Sequence, residues 1–126
     1  MIYSYDYDVS YHPAMPMVDL QISLTEDDPP IVVTAMVDSG SDATTIPIRY
    51  VRQLKAPVVD TQWMSGITGE RHLVKTYAVF VRIGNTARGL SVVGDKINHV
   101  PLLGRDMLNQ LVVTLDGYAQ VVEVKD

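Results

Sequence analysis

The sequence contains no cysteine in its 126 residues, so disulfide bonds, thiolate metal sites and a cysteine nucleophile are all excluded. This absence fits a protein that works in a reducing cytosol. Histidine is nearly as scarce, since His12, His72 and His99 lie far apart and lack the spacing of zinc ligands. We therefore expect neither a metal ion nor another cofactor.

Positive charge is also in short supply, because ten lysines and arginines face fifteen aspartates and glutamates, for a formal net charge of −5. No basic cluster offsets this balance, so we expect neither nucleic acid nor an anionic membrane as a partner. No segment approaches the roughly 20 apolar residues of a membrane-spanning helix. The start of the chain is rich in tyrosine and acid and lacks the basic and apolar regions of a signal peptide. The sequence thus predicts a cytoplasmic protein.

The apolar residues, 47% of the chain, occur mainly in strand-length segments. Residues 18–24 alternate between apolar and polar, and residues 31–37 form an almost continuous apolar run that predicts a strand buried on both faces. Residues 73–83 give the longest strand pattern, whereas 105–111 is the best helix candidate. The length fits one domain over residues 1–126. We predict an all-β fold with one short helix near the C-terminus.

Four further segments give weaker patterns. Alternating tyrosine and valine over residues 3–11 predict a half-buried strand, and residues 49–55 predict a short turn of helix. Residues 65–69 contain two glycines and predict the tip of a hairpin, and residues 112–124 predict a closing hairpin.

The candidate catalytic group is Asp38, which follows the apolar run and begins the tripeptide Asp38-Ser39-Gly40. A carboxylate at the end of a buried strand must be hydrogen-bonded. The Ser39 hydroxyl can donate to it, and Gly40 permits an unusual backbone angle or the close approach of another chain. Such a tripeptide is common, and by itself it more often marks an ordinary turn.

Two such carboxylates side by side cannot both ionise easily, so they share one proton. The ionised member can then activate a water molecule while the protonated member polarises a peptide carbonyl. The pattern Asp-Ser/Thr-Gly occurs only once in the sequence. A catalytic pair would therefore need a second copy of the chain.

Residues 37–46, Val-Asp-Ser-Gly-Ser-Asp-Ala-Thr-Thr-Ile, resemble the active-site segment of retropepsins, the homodimeric retroviral-type aspartic proteases. Residues 102–111, Leu-Leu-Gly-Arg-Asp-Met-Leu-Asn-Gln-Leu, are similar to a second segment of that family, two apolar residues followed by Gly-Arg-Asp/Asn-x-Leu. Residues 64–69, Met-Ser-Gly-Ile-Thr-Gly, resemble its glycine-rich flap. The three segments occur in the family's order, and the resemblance covers about residues 31–115.

The resemblance implies a closed β-barrel-like protomer with a flap hairpin and one short C-terminal helix, which forms a homodimer. Asp38 would be the catalytic aspartate, one from each subunit, and Ser39 would hydrogen-bond across the dimer. Gly40 would offer its carbonyl to the backbone of the substrate. Asp42 and Arg105 would form a partly buried, bidentate ion pair that supports the active-site loop.

The resemblance further implies aspartic endopeptidase activity on an extended polypeptide, with neither a covalent intermediate nor a metal. Thr44 would help to support the active-site loop. The flap, formed by Ser65, Gly66, Ile67, Thr68 and Gly69, would close over the substrate and exclude water from the catalytic pair.

The chain departs from the family pattern at two positions, with Ser39 where threonine is commoner and Ala43 where viral members often have an acid. Its tyrosine-rich N-terminal segment and residues 117–126 lie outside the resemblance, although retroviral members dimerise by interleaving their termini in a sheet. Two alternatives stay open on the sequence. One is a non-catalytic or weakly active dimerisation or peptide-binding module, and the other is a protease that switches between an inactive monomer and an active dimer.

Overall fold

The computed structural model describes residues 1–126 and consists mainly of β-strands, as the sequence predicts. The strands are β1 (Ile2–Asp6), β2 (Met17–Ser23), β3 (Ile31–Val37), β4 (Thr45–Pro47), β5 (Val58–Ser65), β6 (Arg71–Ile83), β7 (Thr86–Asp95), β8 (Leu102–Leu103), β9 (Val112–Asp116) and β10 (Val121–Lys125). The helices are α1 (Ile48–Leu54) and α2 (Arg105–Leu108). Neither helix is long and apolar enough to cross a membrane.

Seven strands form the larger sheet, in the order β2-β3-β8-β4-β7-β6-β5. The pairs β3–β8 and β4–β7 are parallel, and the other pairs are antiparallel. Strand β2 also pairs with β6, so six strands form a closed circuit of pairings from which only β5 is left out. The short strands β8 and β4 lie in the middle of this order, which brings the loop after β3 next to α2.

The remaining three strands form a separate sheet in the order β1-β10-β9, entirely antiparallel. The first and last strands of the chain pair with each other, from Ile2 opposite Lys125 to Asp6 opposite Val121. Val122 and Val124 of β10 point into the core and are fully buried. The small sheet therefore closes one side of the core.

One cluster of 15 buried side chains forms the core and is drawn from both sheets. In β2 the predicted alternation is present, because Val18, Leu20 and Ile22 are buried whereas Asp19 and Gln21 are exposed. The side chains of the cluster are Val18, Leu20, Ile22, Val33, Ala35, Ile46, Val51, Val79, Val81, Ile83, Val92, Leu103, Met107, Val122 and Val124.

The prediction that residues 31–37 are buried on both faces is wrong. In β3, Val33 and Ala35 point into the core, but Val32 and Thr34 are exposed. On this outer face the Thr34 hydroxyl donates to Asp19 on the neighbouring strand at 3.0 Å. A continuous apolar run thus contains an ordinary strand with one solvent-facing side.

The helices also differ in part from the expectation. Helix α1 lies where a turn of helix is predicted and is longer than the C-terminal helix. It begins after Pro47 and ends before Lys55, which has a left-handed backbone with φ of 56°. Helix α2 ends at Leu108, because the amides of Gln110 and Leu111 bond three residues back and tighten the chain into turns.

The N-terminal strand is shorter than its alternating pattern predicts. Strand β1 ends at Asp6, and the following residues turn back so that Asp8 forms an isolated bridge with Met15. The Ser10 amide and hydroxyl donate to the Asp8 carboxylate at 2.9 and 2.6 Å, which stabilises the turn. These side-chain bonds replace the strand ladder that the alternation of residues 3–11 predicts.

Leu20 and Leu24 provide a matched test of the core. Leu20 is 0% exposed, whereas Leu24, just beyond the end of β2, is 37% exposed. Truncating a buried side chain loses transfer free energy and leaves a cavity, so we expect Leu20→Ala to lower the free energy of unfolding by about 2–5 kcal/mol. Leu24→Ala should cost less than about 1 kcal/mol. Urea denaturation measures both, and equal losses would contradict this burial pattern.

Candidate active site

Asp38 lies directly after β3, and its position is fixed by the neighbouring strand. Its backbone N–H donates to the carbonyl of Leu103 at 3.1 Å, which extends the parallel pairing of β3 with β8. One oxygen of the Asp38 carboxylate accepts the backbone N–H of Gly40 at 3.0 Å. The side chain is only partly buried, so the carboxylate is held by the backbone and still reachable from solvent.

Ser39 and Gly40 are the exposed part of this loop. An ideal Cβ at Gly40 would lie 3.2 Å from the Asp38 carboxylate oxygen, so a larger residue would crowd the acid. The Ser39 hydroxyl, by contrast, has no hydrogen-bond partner within the chain. The bond that the resemblance implies for this hydroxyl would run across a dimer. The structure therefore leaves one donor free beside the carboxylate.

Arg105 contacts the loop at three points. Its Nη1 donates to the carbonyl of Ser39 at 2.7 Å, its Nη2 pairs with the Asp42 carboxylate at 2.5 Å, and its backbone N–H donates to the carbonyl of Ser41 at 2.9 Å. The geometry differs from the expected bidentate, partly buried pair, because the side chains of Arg105 and Asp42 are 44% and 86% exposed. The guanidinium divides its donors between a carboxylate and a backbone carbonyl, and so holds both ends of the loop.

Thr44 and Asp106 form the buried support of the site, and sequence reasoning missed the role of Asp106. The Thr44 hydroxyl and backbone N–H donate to the two oxygens of Asp106 at 2.7 and 2.9 Å. The same hydroxyl accepts the backbone N–H of Gly104 at 3.1 Å, and Asp106 also accepts the N–H of Met107 at 2.8 Å. The Gly-Arg-Asp motif contains Asp106, but nothing in the sequence indicates that its partner is Thr44.

Gly104 brings this support into contact with the loop. A Cβ at this position would lie 2.5 Å from the backbone carbon of Ala43 and 2.9 Å from the nitrogen of Thr44, distances that real Cβ atoms do not show. Only glycine lets the two backbones approach this closely. The segment 104–106 thus contacts the active-site loop along its whole length.

The predicted flap residues form the tip of the hairpin between β5 and β6. Ser65 pairs with Arg71 at the end of the ladder, and beyond it the Gly66 N–H donates to the Glu70 carbonyl at 2.8 Å. Gly69 has a φ of 84°, a backbone conformation that favours glycine. Ile67 at the tip is fully exposed. The apolar side chain of Ile67, at the end of this glycine-containing hairpin, therefore has no packing partner within the chain.

A cavity of about 520 Å³ lies between the base of this hairpin, β4 and the end of β7. Its apolar walls include Ile48, Met64, Leu73, Tyr77, Val93 and Ile97. The hydroxyl of Thr45, which also lines the cavity, is buried without a hydrogen-bond partner. Ser65 and Gly66 of the flap line the cavity but Asp38 does not, so the cavity lies beside the candidate acid.

Asp95 shapes the loop that borders this cavity. Its Oδ1 accepts the backbone N–H groups of Ile97 and Asn98 at 2.8 and 3.0 Å, and its Oδ2 accepts the Asn98 side-chain amide at 2.9 Å. Burial acts to raise the pKa of Asp95, but these three donors and the nearby charge of His99 outweigh it and lower the pKa. The ionised form therefore stabilises the loop.

Comparison with known proteins identifies the family. The sequence model described as "Retroviral aspartyl protease" matches residues 12–116, most of the chain. The chain belongs to the retroviral aspartyl protease family. The match begins after β1 and ends with β9, so the two strands that pair the chain's ends, β1 and β10, lie outside it.

Two solved structures have the same fold. The protease of EIAV, solved in complex with the inhibitor HBY-793, aligns with a TM-score of 0.58 and 21% identity over 76% of this chain and 86% of its own. A retropepsin-like aspartic protease from Rickettsia conorii aligns with a TM-score of 0.65 and 10% identity over 98% of this chain and 91% of its own. No curated protein matches the chain significantly by sequence. At these identities the two structures show the retropepsin fold.

The adjacent residues Thr44 and Thr45 provide a matched test of the hydrogen bonds that Thr44 forms with Asp106 and Gly104. Thr44→Val keeps the shape of the side chain but removes the hydroxyl, leaving the Gly104 N–H and one Asp106 oxygen without that partner. We expect the free energy of unfolding to fall by about 1–3 kcal/mol. Thr45→Val removes a buried hydroxyl that has no partner, so its stability should be unchanged or higher. Thermal and urea unfolding of both variants provide the comparison, and a larger loss for Thr45→Val would contradict this assignment.

The lowered pKa of Asp95 predicts a pH-dependent contribution. A group whose pKa is lower in the folded state stabilises the fold above its unfolded pKa and loses this effect as the pH falls through the folded value. We expect Asp95→Asn to lower the free energy of unfolding at pH 7 by about 1 kcal/mol or less, because the group is partly screened by solvent. The difference from the wild type should close at an acidic pH below the lowered pKa of Asp95. Urea denaturation at both pH values, with Asp27→Asn as the exposed control, measures it, and a gap of the same size at both would refute the linkage.

Proposed function

We propose that the protein is an aspartic endopeptidase that hydrolyses peptide bonds with a water activated between two Asp38 carboxylates, one from each subunit of a homodimer. The observation that carries this proposal is the position of Asp38. It lies at the end of a core strand, partly exposed, in a loop that Arg105 and Asp106 hold through bonds between residues 62 to 66 positions apart in sequence. So many long-range bonds to one short loop favour a site that needs precise geometry.

The chemistry follows from two carboxylates that share a proton. The oxygen of the water molecule attacks the peptide carbonyl carbon while the ionised carboxylate takes a proton from the water. The protonated carboxyl donates to the carbonyl oxygen. The tetrahedral intermediate then breaks at its C–N bond, and a proton passes to the leaving nitrogen. One water is consumed, and no bond forms between substrate and protein. The N–H of Gly40 donates to the Asp38 carboxylate and orients it.

A second subunit would use groups that are free in the single chain. The exposed Ser39 hydroxyl beside Asp38 is available to bond the same loop of the partner and to hold the two carboxylates together. Without a second chain the loop supplies only one carboxylate. Dimerisation is therefore part of the proposed mechanism.

The substrate we propose is an extended polypeptide. Strand β5 is the last strand of the larger sheet and pairs only with β6, so its outer edge is free for main-chain hydrogen bonds to a peptide. The flap residues are Ser65, Gly66, Ile67, Thr68 and Gly69, and closure of this tip would exclude water. The adjoining apolar cavity suits a large apolar side chain. We place this activity in the cytoplasm, which fits a chain without cysteine.

Cleavage of a denatured protein mixture between about pH 4 and 8 tests the proposal. Asp38→Asn keeps the shape of the side chain but removes its ionisable group, so we expect the rate to fall by about 100- to 10,000-fold. Asp27→Asn, the same change in an exposed turn, should leave the rate unchanged. Pepstatin, an inhibitor of aspartic proteases, should suppress the wild type.

Two outcomes would overturn this function. Cleavage that persists in Asp38→Asn would assign the activity to another group. No cleavage at any pH from a folded dimer would favour the peptide-binding module instead.

A further inference from the structure

We propose that the cavity beside the flap selects peptides that carry an acidic side chain near the cleaved bond, and that Lys75 and Lys96 bind its carboxylate. Both lysines line the cavity and are exposed, so they lie at its mouth. This inference rests on the proposed function, because it names a feature of the peptide that the protease would cleave. The apolar walls of the cavity explain contact with apolar side chains but not the presence of these two charges.

The charge of the cavity is opposite in sign to that of the whole chain. The chain has a formal net charge of −5, yet two of its four lysines line this one cavity. Asp95 is the only acidic residue in the lining. Its two carboxylate oxygens already accept hydrogen bonds from Ile97 and Asn98 of its own loop. The cavity thus has two cations for one anion, and that anion is engaged elsewhere.

Neither lysine has a partner within the chain. The cations of the three ion pairs in the structure are the N-terminal amine, Arg82 and Arg105, so neither Lys75 nor Lys96 takes part. His72 also lines the cavity, and its ring forms no hydrogen bond with the protein. An imidazole can donate a hydrogen bond to a carboxylate whether it is neutral or charged. Three side chains that can donate to an acid therefore border the same cavity.

The two lysines reach the cavity from different elements of the fold. Lys75 lies on β6 directly opposite Thr61 of β5, which also lines the cavity. Lys96 comes directly after β7, in the loop that the Asp95 side chain stabilises. A carboxylate that enters the cavity would meet a cation from each element. Apolar walls exclude part of the water, so the attraction is stronger there than on an open surface.

The position of the cavity is compatible with the proposed mechanism. Ser65 and Gly66 of the flap line it, whereas Asp38, Ser39 and Gly40 do not. An acidic side chain in the cavity would therefore belong to a residue that is not at the cleaved bond itself. This separation matters, because a third carboxylate next to the catalytic pair would oppose the ionisation that the pair requires.

The size of the cavity allows an apolar side chain to enter together with the acid. Its volume of about 520 Å³ lies in the range of cavities that hold drug-sized ligands. Side chains two positions apart in an extended peptide point to the same side. One of them can contact Ile48, Tyr77 and Val93 while the other reaches the lysines.

Peptide binding without cleavage tests this inference. The probes are short extended peptides that carry glutamate or glutamine at each position in turn, since these side chains have the same size and differ in charge. The protein is Asp38→Asn, which lacks the proposed catalytic carboxyl, and fluorescence anisotropy gives the affinities. At one position we expect glutamate to bind about three- to tenfold more tightly than glutamine, and the preference should shrink at high salt.

Lysine variants in the same Asp38→Asn protein identify the groups responsible. Lys75→Met/Lys96→Met removes both charges and keeps the apolar length of the side chains, so the two peptides should bind equally, with the glutamine affinity unchanged. Lys125→Met, the same change at an exposed position of β10 outside the cavity, should keep the preference. If the double variant does not fold, the two single variants replace it, and each should lower the preference.

The outcomes separate this inference from the catalytic proposal. A glutamate preference that depends on the lysines, in a protein whose wild type cleaves no peptide, would support acid recognition and refute the endopeptidase. Cleavage by the wild type with equal binding of glutamate and glutamine at every position would support the endopeptidase and overturn the inference. A preference that persists in the double variant, or a protein that binds none of the peptides, would also overturn it.

Discussion

The site depends on the close contact between the loop after β3 and the segment 103–106. Gly104 permits the contact because a side chain there would overlap the backbone of Ala43. Once the backbones touch, Asp106 binds both polar groups of Thr44, and Leu103 accepts the N–H of Asp38. Each of these bonds joins residues more than 60 positions apart in sequence. The carboxylate therefore reaches its position only after the central strands β8 and β4 have assembled, which couples the site to the fold.

The two supports of the loop differ in energetic weight. The pair between Arg105 and Asp42 is largely exposed, and exposed ion pairs contribute about 0–1 kcal/mol. Its value lies in geometry, because the same guanidinium also holds the Ser39 carbonyl. Thr44 is fully buried, so the loss of its bonds to Asp106 would leave polar groups without water, at about 1–3 kcal/mol each. Stability thus comes mainly from the buried pair, and the exposed pair orients the loop.

The sequence alone predicted the all-β fold, the hairpin tip and the loop of Asp38, because each depends on a local pattern. Period-two alternation gave β2, and paired glycines gave the turn at residues 65–69, whereas the contact of the Gly-Arg-Asp segment with the loop was implied by the resemblance to the family. What it missed depends on the packing of distant residues. The apolar run 31–37 does not reveal that Val32 faces solvent, and Asp106 could not be assigned to Thr44 before the two segments were placed together. The cavity beside the flap, lined by four strands, one helix and two loops, had no sequence pattern at all.

In the proposed dimer, the unpartnered groups on the surface of the chain have a common explanation. Ile67 at the flap tip and the edge of β9 are both without partners, and the Ser39 hydroxyl is a donor without an acceptor. A chain that functioned alone would gain solubility by replacing these groups with charged ones. A second copy and a bound peptide would cover them instead. Because the terminal strands β1 and β10 already pair with each other within the chain, each protomer can fold first and associate afterwards. In the proposed dimer, association would be a concentration-dependent step between folded units, and the catalytic pair would form only when two copies meet.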